Sequence, residues 1–219
     1  MPWYVFALAD RVPRVSAVRG FTSAVTFRPA AELYAAVERR RDVPPPEMNS
    51  LQRHQRLVER LAARVPAILP VRFGTLLTAD ELEESIEARR EDIAEALDLV
   101  RDRRQMTWRL RGSPERRSAR EASVPFDAIS GAEYLRRAAH PTSLSLPPGL
   151  RRVRTALGPL AAAERESSPR QTMAPALYHL VDRALVGRYV AAAEPIRARY
   201  AQLTLSGPWA PYAFAPEPF

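Results

Sequence analysis

The sequence predicts an α+β protein of two small domains, the second of which has a ferredoxin-like plan with inserted helices. Short apolar segments typical of strands are mixed with segments of helical periodicity, which is the pattern of such domains. The length of 219 residues suits one large domain or two small ones. The local charge changes near residue 103, so we expect domains at 1–103 and 104–219.

The chain begins with two predicted strands and a predicted helix. Residues 3–9 are apolar on both faces, as in a buried strand, and residues 21–27 form the second strand. Pro29 stands where the first turn of a helix tolerates proline, so the sequence predicts a helix over 30–40. The three prolines at 44–46 then require a loop, because proline cannot continue a helix.

A helix, a strand and a longer helix complete the predicted first half. Residues 49–65 carry an apolar stripe at helical spacing, and residues 67–75 follow as a strand. Thr78 and Glu81 have the spacing of a capping box, in which each side chain accepts a hydrogen bond from the other residue's backbone. This box begins a helix that we expect to reach Val100.

The second half reads as strand, one or two helices, an optional strand, and then strand, helix and strand. This order predicts a ferredoxin-like arrangement with extra helix after the first strand. The predicted ranges are strand 106–111, loop 111–124, helix 130–139, helix 149–164, strand 172–181, helix 185–200 and strand 201–206.

Charge and composition narrow the possible partners. The chain has no lysine, so arginine supplies all 33 basic residues and the net charge is +8. A field of this sign favours acidic partners, either protein or nucleic acid. The absence of cysteine excludes disulfides and thiolate chemistry. The N-terminus resembles a strand rather than a signal peptide, and no apolar run approaches ~18 residues, so we expect a cytoplasmic protein without membrane contact.

The sequence contains no pattern that predicts catalysis. Its three histidines lie far apart without metal-ligand spacing, and no nucleophile elbow, Walker A motif or dinucleotide fingerprint is present. His54 falls on the apolar stripe of its helix, which favours a structural role. We therefore expect no enzymatic activity, no cofactor and no metal.

A weak nucleic-acid signal keeps one alternative open. Arg19, Gly20 and Phe21 begin like the RNP1 motif of RNA-binding sheets, but Ser23 stands where that motif needs an aromatic residue. Residues 101–120 hold eight arginines against two acids. A basic α+β nucleic-acid-binding module is therefore the alternative to a protein-binding role, and the less favoured one.

Two motifs, at 68–75 and 205–214, concentrate aromatic residues, proline and glycine beside short strands. Gly74 is free to take a positive φ, and Arg72 can bind a carboxylate or a helix C-terminus. Trp209 and Tyr212 offer anchor area on a tail that either folds back onto its own domain or docks onto a partner. The candidate interaction residues are Arg72, Phe73, Gly74, Gly207, Pro208, Trp209, Pro211, Tyr212 and Phe214.

These motifs resemble the gas vesicle GvpL/GvpF family. That family has a histidine-bearing helix before a V-L-P-V-R-F-G-T strand, a G-x-x-Y-L helix start, a strand ending L-V-D, and a terminal L-T-G-P-W-P-P-Y-S-F. This chain departs from the pattern at Gln55, Ala210 and Ala213, and residues 139–172 match poorly. The corresponding segments here are 53–55 with 68–75, 131–135, 178–182 and 205–214.

The resemblance implies a two-domain α+β protein that is needed to build gas vesicles, the hollow gas-filled protein shells that give cells buoyancy. It implies contacts with the small hydrophobic shell protein and with other accessory proteins, and no enzymatic activity. We expect such contacts to involve the sheet of the second domain and the tail 209–214.

Overall fold

The computed structural model describes residues 1–13, 18–111, 146–167 and 175–216. Within these ranges, two antiparallel sheets are combined with α-helices, which confirms the α+β class. The strands are β1 (Trp3–Ala9), β2 (Thr26–Ala30), β3 (Leu33–Arg39), β4 (Ile68–Pro70), β5 (Leu76–Leu77), β6 (Arg103–Leu110), β7 (Ala163–Glu166), β8 (Ala176–Asp182) and β9 (Leu203–Trp209). The helices are α1 (Met48–Ala62), α2 (Ala79–Glu87), α3 (Arg90–Val100), α4 (Pro148–Leu157) and α5 (Val186–Arg199).

The first sheet has the strand order β2-β3-β1-β4, with β5 also paired to β1. All seven residues of β1 are buried, in agreement with its unbroken apolar sequence. Alternate β1 side chains point to opposite faces of the sheet. Tyr4 and Phe6 pack with α1, whereas Trp3 and Val5 pack with α2 and α3.

The predicted helix over 30–40 is wrong, because this segment forms the turn and second strand of a hairpin. The two-residue turn is Ala31 and Glu32, with φ of 44° and 66°. β3 then pairs with β2 on one side and β1 on the other, so tertiary pairing overrides the helix propensity of its Ala and Glu residues. Pro29 lies in the edge strand β2, where proline is tolerated.

The predicted second strand also differs, because β2 begins only at Thr26. Residues 21–23 form a loop around the carboxylate of Glu38, which accepts hydrogen bonds from the backbone N–H groups of Phe21, Thr22 and Ser23 at 2.6–2.7 Å. Burial alone raises the pKa of Glu38, but these bonds and the Thr22 hydroxyl outweigh it and lower the pKa. A buried carboxylate therefore orders this loop.

The capping box at Thr78 is confirmed, but the helix it begins is interrupted. The Thr78 side chain accepts from the Glu81 backbone while the Glu81 carboxylate accepts from the Thr78 N–H. The chain leaves helical geometry at Arg89, with φ −132° and ψ 22°, and α3 begins at the next residue. The apolar stripe continues across this break, so both helices cover one face of the first sheet.

The second sheet has the order β7-β8-β6-β9, and all its neighbouring strands are antiparallel. Helices α4 and α5 pack on one face, where Trp108 and Tyr189 are fully buried. The prediction of helix over 149–164 is wrong beyond Leu157, because a short 3₁₀ turn leads into β7. β7 is an exposed edge strand without apolar periodicity, so the sequence predicts an optional strand before β8 but not its range.

The two sheets share one interior. The core of the first sheet includes Leu180 of β8 and Phe214 of the C-terminal segment. Arg183 donates side-chain hydrogen bonds to the backbone carbonyls of Ala62 and Val65, at 3.1 and 3.2 Å. Its backbone N–H also donates to the Asp102 carbonyl at 2.8 Å. The predicted loop 111–124 and the helix 130–139 lie outside the described residues, apart from Arg111 itself.

Candidate interaction surface

The first motif forms a turn between two short strands that both pair with β1. β4 pairs with residues 7–9 and β5 with residues 3–4. The predicted strand over 67–75 therefore ends at Pro70, and residues 71–75 form the turn that leads to β5. Gly74 has a φ of 95°, which suits glycine, and its N–H donates to the Tyr4 hydroxyl at 3.0 Å. Arg72 is exposed at the start of this turn, and its carbonyl accepts from the Thr75 hydroxyl at 2.9 Å.

A buried histidine connects this turn to α1. The Tyr4 hydroxyl lies 3.0 Å from Nδ1 of His54, and Nε2 of His54 lies 3.2 Å from the Val71 carbonyl. Because a carbonyl only accepts, Nε2 carries the proton and the Tyr4 hydroxyl donates to Nδ1. Burial lowers the pKa of His54 to about 4 and raises the pKa of Tyr4 to about 12. The neutral, fully bonded pair agrees with the structural role predicted for His54.

An aromatic cluster surrounds this pair. The Phe73 ring centroid lies 5.7 Å from that of His54 and 6.2 Å from that of Tyr4, both in edge-to-face geometry. Phe21 stacks on Phe6 at 5.8 Å, and guanidinium groups of two arginines lie over its ring. Phe21 is therefore part of the packing rather than a free platform for stacking bases, as RNP1-type recognition would need.

The second motif begins with an irregularity in the pairing of β9 with β6, where the register shifts between Gln105 and Thr107. Gly207 has a φ of 124°, and a Cβ built on it would lie 2.7 Å from the Gln105 carbonyl oxygen. Only glycine fits this position without strain. Pro208 follows through a cis peptide bond and is exposed.

The C-terminal tail, residues 209–214, folds back onto the body of the protein. The Ala210 N–H donates to the Glu59 carboxylate of α1, and the Ala213 N–H donates to the buried side chain of Gln105, both at 2.7 Å. Arg165 of β7 donates to the Ala213 carbonyl at 2.9 Å. Buried side chains of the tail, among them Pro211 and Phe214, complete the attachment.

Tyr212 interacts electrostatically with Glu59 and with Tyr4, the residue whose hydroxyl accepts from Gly74 of the first motif. The Tyr212 side chain remains partly exposed, but its hydroxyl lies close enough to Glu59 and Tyr4 for their charges to affect its pKa. Burial around the hydroxyl raises the pKa of Tyr212, and Glu59 and Tyr4 add to this effect. Burial also raises the pKa of Glu59, which the Ala210 N–H and Arg104 partly offset. No sequence pattern marks Glu59, Gln105 or Tyr4 as site residues, because their partners lie far away along the chain.

An open groove of about 570 Å³ lies between the tail and α1. Trp209, which is half-buried, forms one wall. The other lining residues all belong to α1 and include three arginines: Gln52, Arg53, Gln55, Arg56, Glu59 and Arg60. We call this feature the Trp209 groove. It combines an aromatic surface with positive charge and has no arrangement of groups that would support catalysis.

Two further features of the described residues bear on function, namely the length of their helices and the placement of possible metal ligands. No described helix is long and apolar enough to cross a membrane. Within the same ranges, no group of three or more histidine, cysteine or carboxylate side chains is placed to hold a metal ion.

Comparison with known protein structures agrees with the family resemblance of the two motifs. Two solved structures share the fold of this chain: gas vesicle protein GvpF from Microcystis aeruginosa and GvpF from Anabaena sp. PCC7120. The first has a TM-score of 0.71 at 16% identity and covers 98% of this chain and 99% of its own. The second has a TM-score of 0.70 at 18% identity, with coverage of 100% and 97%. No curated protein sequence is significantly similar.

The family assignment rests on the sequence itself. The sequence model of the family described as gas vesicle synthesis protein GvpL/GvpF matches residues 2–216, which is nearly the whole chain. The match includes both motifs and the segment between them. The chain therefore belongs to the gas vesicle GvpL/GvpF family.

Proposed function

We propose that this protein is a gas vesicle accessory protein that acts in vesicle assembly through protein–protein contacts. The observation that carries the proposal is the family match over residues 2–216, which includes the 205–214 motif. The proposed partners are the small hydrophobic shell protein and other accessory proteins. By covering apolar faces of shell subunits before they assemble, such a protein would prevent their aggregation. Its proposed location is the cytoplasm and the growing vesicle, and the proposed mechanism requires no enzymatic step.

The proposed contact surface is the Trp209 groove. Both faces of the second sheet pack against the chain itself, one on α4 and α5 and the other on the first half and the tail. We therefore favour the groove over an open sheet face as the contact. The tail uses Pro211 and Phe214 to bind its own body, which leaves Trp209 at the surface beside three arginines. Arg72 and Tyr212 are also exposed and remain further candidates for the contact.

The sheets also support a division into two domains with a boundary near residue 103. The strand order β7-β8-β6-β9 corresponds to 2-3-1-4 when the strands after residue 102 are numbered from one. A strand–helix–strand–strand–helix–strand chain with antiparallel neighbours in this order supports a ferredoxin-like second domain. We infer that the two domains act as one unit in binding, since they share the core that holds the tail.

The test is co-expression with the small shell protein of the same gene cluster, followed by purification of the tagged accessory protein at moderate salt. We expect the shell protein to co-purify with the wild type and to be lost with Trp209→Ala/Tyr212→Ala. A matched control is Tyr34→Ala, which removes a partly buried aromatic residue of β3 that belongs to neither the tail nor the Trp209 groove. Circular dichroism and thermal melts establish that each variant is folded.

The outcomes separate the parts of the proposal. Retention of the shell protein by the folded double variant would exclude the Trp209 groove as the contact. Absence of co-purification with wild type, while both proteins are folded and soluble, would exclude direct shell binding. The same experiment with each other accessory protein of the cluster then tests the remaining partners. If none of them binds, the accessory role fails.

A further inference from the structure

A second groove, of about 640 Å³, lies between α4 and α5 on the outer face of the second sheet. We call it the α4/α5 groove. It belongs to a different layer of the molecule from the Trp209 groove and shares no lining residue with it. Its lining residues are Pro148, Arg151, Arg152, Thr155, Ala156, Pro195, Ile196, Arg199 and Tyr200.

The lining of this groove has two chemical parts. Its apolar part comes from both helices and includes Ala156 and Ile196. Its charged part consists of three arginines, Arg151, Arg152 and Arg199, and none of the described carboxylates lines the groove. An apolar channel bordered by charges of one sign is the complement of an amphipathic segment that carries the opposite charge.

The arginines of the groove differ from other arginines on the same two helices. Arg154 pairs with Glu164 and Glu166 of β7, and Arg197 pairs with Glu194 at 2.6 Å. Among the described residues, by contrast, no carboxylate forms an ion pair with Arg151, Arg152 or Arg199. Two of them lie over the Tyr200 ring, with guanidinium carbons 5.6 and 5.7 Å from its centroid. Among the residues that the structure describes, three positive charges are therefore held at one groove without a paired carboxylate.

We propose that the α4/α5 groove binds an acidic amphipathic α-helix of a partner protein. The ten residues of α4 span about 15 Å at 1.5 Å per residue, so the groove accommodates roughly three turns of a docked helix. Apolar side chains at i, i+3 and i+4 of the partner fill the channel, and flanking carboxylates reach the three arginines. The proposal goes beyond the assembly role, because it assigns a separate surface and the chemical class of its partner.

Nucleic acid is the less suitable occupant of this groove. Protein surfaces that bind single strands combine positive charge with aromatic rings that are open for base stacking. Here Tyr200 is the one aromatic residue in the lining, and two guanidinium groups already lie over it. A phosphate backbone would bury no apolar surface in the channel, whereas the apolar stripe of a docked helix would, and this burial favours binding.

The probe is a fluorescein-labelled helical peptide of about four turns, with leucines at i, i+3, i+4 spacing and glutamates beside them. Fluorescence anisotropy measures its affinity for the full-length protein at about 50 mM salt, where screening is weak. A scrambled peptide of the same composition has equal charge but no apolar stripe. We expect it to bind at least about tenfold more weakly than the amphipathic peptide.

Two variants separate groove binding from attraction to net charge. Arg151→Glu/Arg199→Glu reverses two groove charges, and Arg41→Glu/Arg64→Glu makes the same change at exposed arginines of the other half. We expect the first to weaken peptide binding at least about tenfold and the second to change it less than about threefold. Ala156→Arg adds a positive charge at an exposed helical site, and this charge alone would strengthen binding of the acidic peptide. The larger side chain also fills the apolar channel, however, so we expect the variant to bind the peptide more weakly.

Three results would overturn the proposal. The first is equal binding of the amphipathic and scrambled peptides, which would indicate attraction by charge alone. The second is stronger binding by the folded Ala156→Arg variant, since a docked helix has no room there. The third is displacement of the peptide by a thymidine oligonucleotide of equal charge at equal concentration, which would assign the groove to nucleic acid. The Trp209→Ala/Tyr212→Ala variant is expected to bind the peptide normally, so this test is independent of the shell-binding test.

Discussion

Gly207 shows how a single residue places the candidate surface. Its φ of 124° lies in a region that side chains avoid, and the Gln105 carbonyl occupies the space of a Cβ. The same Gln105 holds the tail through its side-chain oxygen, which accepts from the Ala213 N–H. The position of Trp209, two residues later, therefore depends on the backbone conformation of Gly207.

We expect Gly207→Ala to destabilise the protein by about 2 kcal/mol or more, since it adds a steric overlap to an unfavourable φ. It is also expected to weaken shell co-purification by displacing Trp209. Urea unfolding measures the stability. The matched control is Gly187→Ala in α5, where a Cβ meets no atom within 4 Å. That substitution should stabilise the protein by roughly 0.5–1 kcal/mol through helix propensity. Equal stabilities of the two variants would contradict the role assigned to Gly207.

At the scale of elements, the hairpin of β2 and β3 shows how pairing decides a structure against local preference. Its turn places Ala31 and Glu32 at positive φ, as a type I′ hairpin requires, although glycine and asparagine are the usual residues there. The strain is tolerated because β3 is paired on both sides and four of its seven residues are buried. Loss of this strand would expose the centre of the first sheet.

This turn predicts the effect of Glu32→Gly. Glycine relieves the unfavourable φ of 66°, while the exposed ion pair of Glu32 with Arg90 contributes little. We therefore expect a gain of roughly 0.5–1 kcal/mol in the free energy of unfolding, measured with urea. Within a helix over 30–40, the same substitution would instead cost about 1 kcal/mol. The sign of the change thus distinguishes a hairpin from the helix that the sequence alone predicts.

At the scale of the whole molecule, each half of the fold contains one buried histidine that accepts from a tyrosine, His54 on α1 and His179 on β8. His54 is bonded to Tyr4, and Nδ1 of His179 lies 2.7 Å from the Tyr189 hydroxyl, which itself accepts from the Trp108 indole at 2.9 Å. Burial lowers the pKa of each histidine to about 4, and Arg154 contributes at His179. Both imidazoles are therefore neutral in the folded protein at neutral pH.

These histidines predict that stability falls in mild acid. In the unfolded chain a histidine takes up its proton near pH 6.5, whereas the folded state resists it until about pH 4. The stabilising contribution is therefore complete above pH 6.5 and is lost as the pH falls through this window. We expect about 2 kcal/mol less stability per histidine at pH 5 than at pH 7, measured by urea unfolding at both values. A pH-independent stability from 7 to 5 would show that the imidazoles are not buried as described.

The sequence by itself determined the α+β class, the buried first strand, the capping box at Thr78 and the two motifs that identify the family. These features are local: apolar runs, helical periodicity and residue types at fixed spacing record them directly. The positions of α1, α5 and β9 follow from the same kind of pattern to within a few residues. Gly74 was selected for its backbone freedom, and its positive φ agrees with that reason.

Only the tertiary structure decided which elements become strands by pairing and where the motif residues lie. β3 has a helical composition and β7 is exposed, so both depend on neighbours that are distant in sequence. The same holds for Glu59 and Gln105, which anchor the tail through contacts spanning 151 and 108 residues. Hydrogen bonds and packing between residues that are distant in sequence do not produce a periodic pattern of residue types. For this reason the sequence identified Trp209, but only the fold shows the groove beside it.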